Sequence, residues 1–396
     1  MITFKDFALP EALQHKLDAL GFDKPTPVQE RAIPAALENR DILGSAQTGT
    51  GKTAAFALPL LTKIMNHADV YGIIVTPTRE LALQVDEQIR AFLGAKSKIR
   101  SVVLIGGASI ERQIQGLGKK PKIIVGTPGR IIDHLERRSL DLSGFNYVVL
   151  DETDRMLDMG FSAPIAEIFS RVSSERQTLL FSATLPKNIQ KVSAQYLQNP
   201  VRIEMGQVNS VGDNIVQSTQ FVSKEGKFEM LVDALREHEQ SAIVFMNSKF
   251  ATEKLAKRLK SAGITAEAIH GDLRQNKRER VISNLRDNKF RVLVATDVAA
   301  RGIDVPHIHQ VVNFDLPRQA EDYIHRIGRT GRNGAQGVAL NLATRDDMDK
   351  LNEIETLINP NAPKSSHKRS AGKPSRKKPQ AKGRWQNKKP NRAYAA

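Results

Sequence analysis

Eight consecutive residues, Ala46-Gln47-Thr48-Gly49-Thr50-Gly51-Lys52-Thr53, set two glycines, a lysine and a hydroxyl at the spacing of a phosphate-wrapping loop. The glycines let backbone N–H groups line an anion, and a helix starting at the lysine adds partial positive charge. Lys52 then reaches the β- and γ-phosphates of a nucleotide, and the Thr53 hydroxyl suits a Mg²⁺ ion. The first position of the pattern, usually Gly, is Ala46. Farther along, Asp151-Glu152 closes the apolar run Tyr147-Val148-Val149-Leu150. A carboxylate at the carboxyl end of a strand faces the same edge as such a loop. Asp151 can hold the metal, through water, and Glu152 can polarise the attacking water. Alone, an acidic pair after a strand is compatible with surface charge; together with the loop it indicates nucleotide hydrolysis.

These groups need elements that converge on one edge. Short, near-continuous apolar runs recur at 71–76, 122–126, 146–151 and 178–182, and a shorter one at 41–44 precedes the loop. Such runs suit strands buried on both faces of a parallel sheet. Helical spacing between them, as at 79–92, gives an α/β, doubly wound sheet. A polar, glycine-bearing stretch at 206–214 reads as a linker, after which the rhythm resumes at 241–245, 290–296 and 309–314. The expected organisation is a first domain over 1–205, a linker over 206–214, a second domain over 215–360 and a tail over 361–396.

The 396 residues contain no cysteine, which excludes disulfides and cysteine-ligated zinc. The N-terminus lacks a basic segment followed by an apolar core, and no apolar run approaches the roughly 20 residues of a membrane helix. A cytoplasmic, soluble chain with no membrane partner is expected, and nothing calls for an obligate oligomer. Net charge is +16, and residues 361–396 hold 12 of the 59 Lys and Arg but none of the 43 Asp and Glu. The tail composition cannot bury enough surface to fold alone and favours a polyanionic partner; a solubilising extension is the alternative.

Residues 151–154 read Asp-Glu-Thr-Asp, Ser182-Ala183-Thr184 closes another strand, and His325-Arg326-Ile327-Gly328-Arg329-Thr330-Gly331-Arg332 places three arginines on a glycine-punctuated segment. With the phosphate loop, this set resembles the DEAD-box family of RNA helicases over about residues 1–345, departing from it at Thr153, where the family has alanine. The resemblance implies two tandem RecA-like domains and an RNA-dependent ATPase that uses ATP and Mg²⁺ and locally unwinds or remodels RNA. An ATP-gated RNA clamp, or an RNA chaperone acting through the tail, are the alternatives.

Site roles follow from the same resemblance. Phe22, Lys24, Pro25 and Gln29 match its adenine-reading motif, and a Gln amide can pair with adenine N6 and N7 together. Phe4 matches an aromatic that covers the base, with core packing as the alternative. Ala46, Gln47, Thr48, Gly49, Thr50, Gly51, Lys52 and Thr53 hold the phosphates, with Thr53 and Asp151 at the metal; Gly302 and Asp304 lie at the nucleotide, Asp304 on its ribose. Lys52, Asp151, Glu152, His325, Arg329 and Arg332 form the catalytic set, the last two resembling arginine fingers. Asp154, Ser182, Thr184 and Gln275 couple hydrolysis to closure. Pro77, Thr78, Arg79, Gly106, Gly107, Thr127, Gly129, Arg130, Arg278 and Thr296, with Asn247 a weaker candidate, match segments that grip the RNA backbone. Backbone contacts give little sequence preference.

Arg376-Lys377-Lys378 and Arg384-Trp385 offer phosphate pairing and one stacking surface in the tail. Deleting 361–396 should raise the RNA concentration needed for half-maximal ATPase while leaving saturated turnover nearly unchanged. An unaltered RNA requirement in the truncated chain removes the tail from RNA capture.

Overall fold

In the computed structural model the described residues are 2–46, 49–185, 187–204, 214–300, 303, 305, 307–331 and 335–359. Gln47, Thr48, Gly302, Asp304, Arg332, nearly all of the proposed linker and the tail lie outside them.

Among the described residues, thirteen strands build two parallel sheets. The first contains β1 (Ile42–Ser45), β2 (Gly72–Val75), β3 (Ser101–Leu104), β4 (Ile123–Gly126), β5 (Tyr147–Leu150), β6 (Gln177–Ser182) and β7 (Val201–Glu204), in the order β3-β4-β2-β5-β6-β1-β7. The second contains β8 (Ile215–Phe221), β9 (Ala242–Met246), β10 (Ala266–Ile269), β11 (Val292–Thr296), β12 (Gln310–Asn313) and β13 (Gly337–Ala343), ordered β10-β11-β9-β12-β13-β8. Both sheets are α/β and doubly wound, as the strand–helix rhythm predicts.

The two-residue strand period divides each central strand between two cores. Ile74, Val125, Val149 and Leu179 face the helices Glu11–Ala19, Pro27–Leu37, Lys52–Asn66 and Arg79–Leu93. Their neighbours Ile73, Ile124, Val148 and Leu180 face Pro128–Glu136, Ser162–Arg171 and Lys187–Tyr196. The second sheet repeats this arrangement, with Val244, Val294 and Val312 on one face and Ile243, Phe245, Leu293 and Val311 on the other. No helix among the described residues is long and apolar enough to cross a membrane.

Strands β1, β6 and β5 are neighbours, in register from Ile42 opposite Leu179 and Tyr147 opposite Gln177. The chain after each therefore emerges on one edge. At the other end of β1, buried Asp41 ties it to β6 and to the segment before β7: its carboxylate accepts from the Thr178 N–H at 2.8 Å and the Gln198 N–H at 2.6 Å. Asp41→Ala removes both acceptors and should lower stability by about 2 kcal/mol. Urea unfolding followed by circular dichroism should give a lower midpoint for Asp41→Ala than for Asp41→Asn, which keeps one acceptor; equal midpoints remove the carboxylate from this role.

Candidate active site and nucleic-acid cleft

The phosphate loop leaves β1 with the Ala46 N–H still donating to the Ser182 carbonyl, 3.0 Å. Gly51 adopts φ 90° and caps the helix Lys52–Asn66. Any other residue is strained at that φ, and its Cβ would also lie 2.3 Å from Gln29 Nε2. Behind the loop, Gln29 Nε2 donates to the Gly51 carbonyl at 3.0 Å, and the Thr26 hydroxyl donates to the Thr50 carbonyl at 2.7 Å. The Thr26 N–H in turn donates to Gln29 Oε1, 2.9 Å, which closes a capping box at the start of Pro27–Leu37. The Thr-x-x-Gln spacing marks the helix start, but nothing in it marks Thr26 as a support of the loop. Lys52 is buried and its Nζ donates to the Ala46 carbonyl at 2.8 Å, across the loop's base. Thr53 is half-buried one residue on.

On the adjoining strand ends, Asp151 and Glu152 are 2% and 4% exposed. Glu152 takes φ 50° and ψ 52°, a left-handed conformation rare for a side chain of its size. This turn lets its N–H donate to Asp151 Oδ1, 2.9 Å. Burial pushes the Asp151 carboxyl up to about 6, against the pull of Lys52 and helped by the negative Glu152 beside it. A buried carboxylate so reluctant to ionise is suited to a hard cation, and Thr53 adds a hydroxyl oxygen. Among the described residues no three His, Asp or Glu cluster as a metal cage. One carboxylate and one hydroxyl make a sparse, all-oxygen donor set of the kind that fits a Mg²⁺ completed by phosphates and water.

Asp154 points to β6 instead. Its Oδ2 accepts from the N–H groups of Ala183 (3.0 Å) and Thr184 (3.1 Å) and from the Thr184 hydroxyl (3.2 Å). Ser182 is buried, and its hydroxyl has no partner among the described residues.

In the second lobe, Arg326 is buried with its guanidinium donating to both Asp297 oxygens (2.5 and 2.7 Å), Asn313 Oδ1 (3.0 Å), Asn247 Oδ1 (3.1 Å) and the Asp315 carbonyl (2.5 Å). The first arginine of the motif is thus a structural hub, and Asn247 is occupied by it and by the Leu316 carbonyl. Arg329 is buried and donates to the carbonyls of His325 and Ile303, both at 3.1 Å. A cavity of about 850 Å³ opens between lobes, where His325 and Arg318 face Asp154, Asp158 and Thr184.

A separate interlobe cleft of about 410 Å³ is lined by Pro77, Thr78, Arg79, Gly106, Thr127, Gly129 and Arg130 of the first lobe and by Gly271, Arg278 and Val298 of the second. Buried Arg278 pairs with buried Glu80 across the lobes at 2.7 Å, and its Nη1 donates to the His270 carbonyl, 3.2 Å. Arg79 Nη1 lies 3.5 Å from Gln275 Oε1, and Gly107 has φ 81° so that Arg79 can pass; a Cβ there would sit 2.4 Å from Nη1. Thr78 caps the helix Arg79–Leu93 by accepting from the Leu81 N–H at 3.2 Å. Thr296 ends β11, half-buried, and is not among the residues lining this cleft.

Residues 26–192 match the DEAD/DEAH box helicase family model and residues 226–334 the helicase conserved C-terminal domain. The DEAD-box ATP-dependent RNA helicase CshA of Geobacillus kaustophilus is 44% identical over 357 residues, 90% of this chain and 76% of that protein. The chain belongs to the DEAD-box helicase family. Among solved structures, S. cerevisiae Dbp5 bound to RNA and ADP BeF3 matches with TM-score 0.82 at 33% identity, covering 90% of this chain and 93% of that one. Mss116p bound to ssRNA and AMP-PNP matches with TM-score 0.83 at 31% identity, covering 90% and 78%.

Against the DEAD-box pattern, two adenine-site expectations meet a different environment. Phe4 is 3% exposed and packs edge-on against Phe7 and Phe22, whose ring meets Phe92 in turn; this packing supports the core role for Phe4. Gln29 is 2% exposed and already braces the phosphate loop. Lys24 is exposed and Pro25 half-buried at the same turn. Thr153, the DEAD-box departure, is fully buried and donates to the Phe181 carbonyl, 3.1 Å.

A carboxyl raised from 3.8 to about 6 binds its proton more tightly folded than unfolded, so stability falls as pH climbs through that window. Asp151→Asn lacks this penalty. It should raise the melting temperature of the nucleotide-free protein by about 2–4 °C at pH 7.5, with the gain shrinking toward pH 4.5. A pH-independent shift in calorimetry sinks the assignment to burial.

Proposed function

We propose that the chain is an RNA-dependent ATPase that separates or remodels short RNA duplexes by closing its two lobes on ATP and RNA together. One observation carries the reading. The phosphate loop and Asp151-Glu152 share an edge of the first sheet, while His325 and Arg329 lie on the second lobe beside the Asp154 end of the same motif. Neither lobe holds a complete set, so hydrolysis waits for closure.

In this reading the loop amides and Lys52 bind the phosphates, Lys52 giving up the Ala46 carbonyl for them. Thr53 and Asp151 hold Mg²⁺, which neutralises charge on the phosphate oxygens when bound. Glu152, held by its left-handed turn, orients water and accepts its proton. Arg329, and Arg332 beside it in sequence, bring positive charge to the γ-phosphate. Gln29 still has one amide hydrogen and one lone pair beyond its bonds to the Gly51 carbonyl and the Thr26 N–H, the pair that adenine N7 and N6 require. The 410 Å³ cleft takes the RNA backbone, with hydroxyls, exposed glycine N–H groups and Arg130 along its first-lobe wall. Because Arg278 and Arg79 bridge the lobes at that cleft, RNA bound there favours closure. The preference for RNA comes from 2′-hydroxyl contacts.

Steady-state ATP hydrolysis should rise strongly with RNA and little with DNA of the same sequence. Glu152→Gln should reduce the RNA-stimulated rate by ~10²–10⁴-fold with ATP affinity nearly retained. Equal stimulation by DNA, or hydrolysis indifferent to RNA, refutes the reading.

A further inference from the structure

Arg155, one residue past Asp154, is among the largest fully buried side chains, 1% exposed. It does not serve its own lobe's core. Its Nη1 pairs with Asp322, in the first turn of the second-lobe helix Ala320–Ile327, and stands 3.5 Å from Asp158 of its own helix. That second-lobe helix carries His325 and Arg326 and leads directly to Arg329. Arg155, Asp297, Asp322, His325, Arg326 and Arg329 all line one small cavity, so three guanidinium groups share it with two carboxylates. Asp297 is already committed to Arg326 through both of its oxygens. Asp322 is therefore the second-lobe counter-charge for Arg155. The remaining Arg155 donors, Nε and Nη2, are buried without a hydrogen-bond partner among the described residues, so little besides Asp322 and Asp158 holds the group in place.

We propose that Arg155 and Asp322 form a closure latch: a positioning pair that joins the Asp-Glu-Thr-Asp motif to the helix presenting the arginine segment. The argument is one of differential stability. When the lobes part, both groups return to water and lose little. When they meet, Arg155 is buried beside two other guanidinium groups and is tolerated only with Asp322 opposite. The pair thus favours one lobe arrangement and no other, as a two-state device must. It also lies one residue from Asp154, whose carboxylate holds the β6 loop, so a shift in either reaches the other along a single helical turn. The latch rests on the closure-gated reading above, and it adds a residue pair outside the nucleotide and RNA contacts.

The test uses the full chain, which has no cysteine, with single cysteines introduced at exposed Glu38 and Ser261 to carry a fluorescent donor and acceptor, one on each lobe. Closure is read as transfer efficiency with RNA and AMP-PNP, beside kcat, the RNA concentration at half-maximal rate, and fluorescent-nucleotide affinity. Arg155→Ala and Asp322→Ala should each lower the closed population and the RNA-stimulated kcat by about 10- to 100-fold, while nucleotide affinity without RNA changes less than about twofold. The exchange Arg155→Asp with Asp322→Arg should recover a substantial part of both losses, which a merely misfolded single variant could not explain. Closure and kcat retained in both single variants overturn the latch alone. A parent chain that fails to close with RNA and AMP-PNP overturns the closure reading and the latch together.

Discussion

Strands β5, β6 and β1 lie side by side and parallel, and every catalytic group of the first lobe depends on that adjacency. The sheet brings the phosphate loop, Asp151-Glu152 and Ser182-Ala183-Thr184 to one edge. Two local devices then hold the edge together. The ladder runs one residue beyond β1 through the Ala46 N–H, and the Asp154 carboxylate gathers three donors from the β6 loop. A charged acceptor serving several backbone donors makes hydrogen bonds well above the neutral average. Asp151, proposed above as the metal carboxylate, is thus joined through Asp154 to the β6 loop. The β6 loop is in this way tied to the motif that carries Glu152, the residue proposed to activate water.

The contacts between lobes have a different character. Glu80–Arg278 and Arg155–Asp322 are buried ion pairs, at the nucleic-acid cleft and at the nucleotide motif respectively. Two charges taken from water roughly break even against their mutual attraction. An apolar interface of similar size would hold the lobes shut whether or not ligand were present. Charge pairs instead specify one docking geometry while leaving its free energy near balance, which lets ligands of modest differential affinity decide the outcome. Buried charge is also where a substitution of one partner does most damage, since the other is left without water or counter-ion.

The central strands and the phosphate loop were legible in the sequence because burial on both faces imposes continuous apolar runs. The strands not singled out were β3, β7, β8 and β10, all four sheet edges, together with β13. An edge strand has fewer neighbours to cover it, and β8 is exposed along most of its length, so no apolar signal is required there. In β13 the run is broken by Asn341, a buried amide that bonds Asn313 on the next strand at 2.8 Å. At the site, the motif residues were readable by type, but their partners were not. Nothing local in the sequence marks Arg326 as a hub for Asp297, Asn313 and Asn247, residues distant along the chain. Phe4 illustrates the opposite limit: an aromatic near an adenine motif has the same appearance in a sequence whether it stacks on a base or on Phe22.

Thr153 shows how a departure from the family pattern can be absorbed. Its hydroxyl donates to the Phe181 carbonyl, and the side chain is wholly buried where the family has only a methyl group. Phe181 also presses on β1: a Cβ at Gly44 would meet its ring at 2.6 Å, so Gly44 must be glycine for the ring to sit there. A continuous path of contacts therefore runs from β1 through the Phe181 ring to its carbonyl and into the Asp-Glu-Thr-Asp motif. Both bonds of the Thr153 hydroxyl go to sheet carbonyls, those of Leu150 and Phe181, and neither goes to a carboxylate. The additional hydroxyl thus links the ends of β5 and β6, while Asp151 and Asp154 keep their own partners. The contacts of the added hydroxyl therefore lie at the joint between the two strands and on none of the three carboxylates beside it.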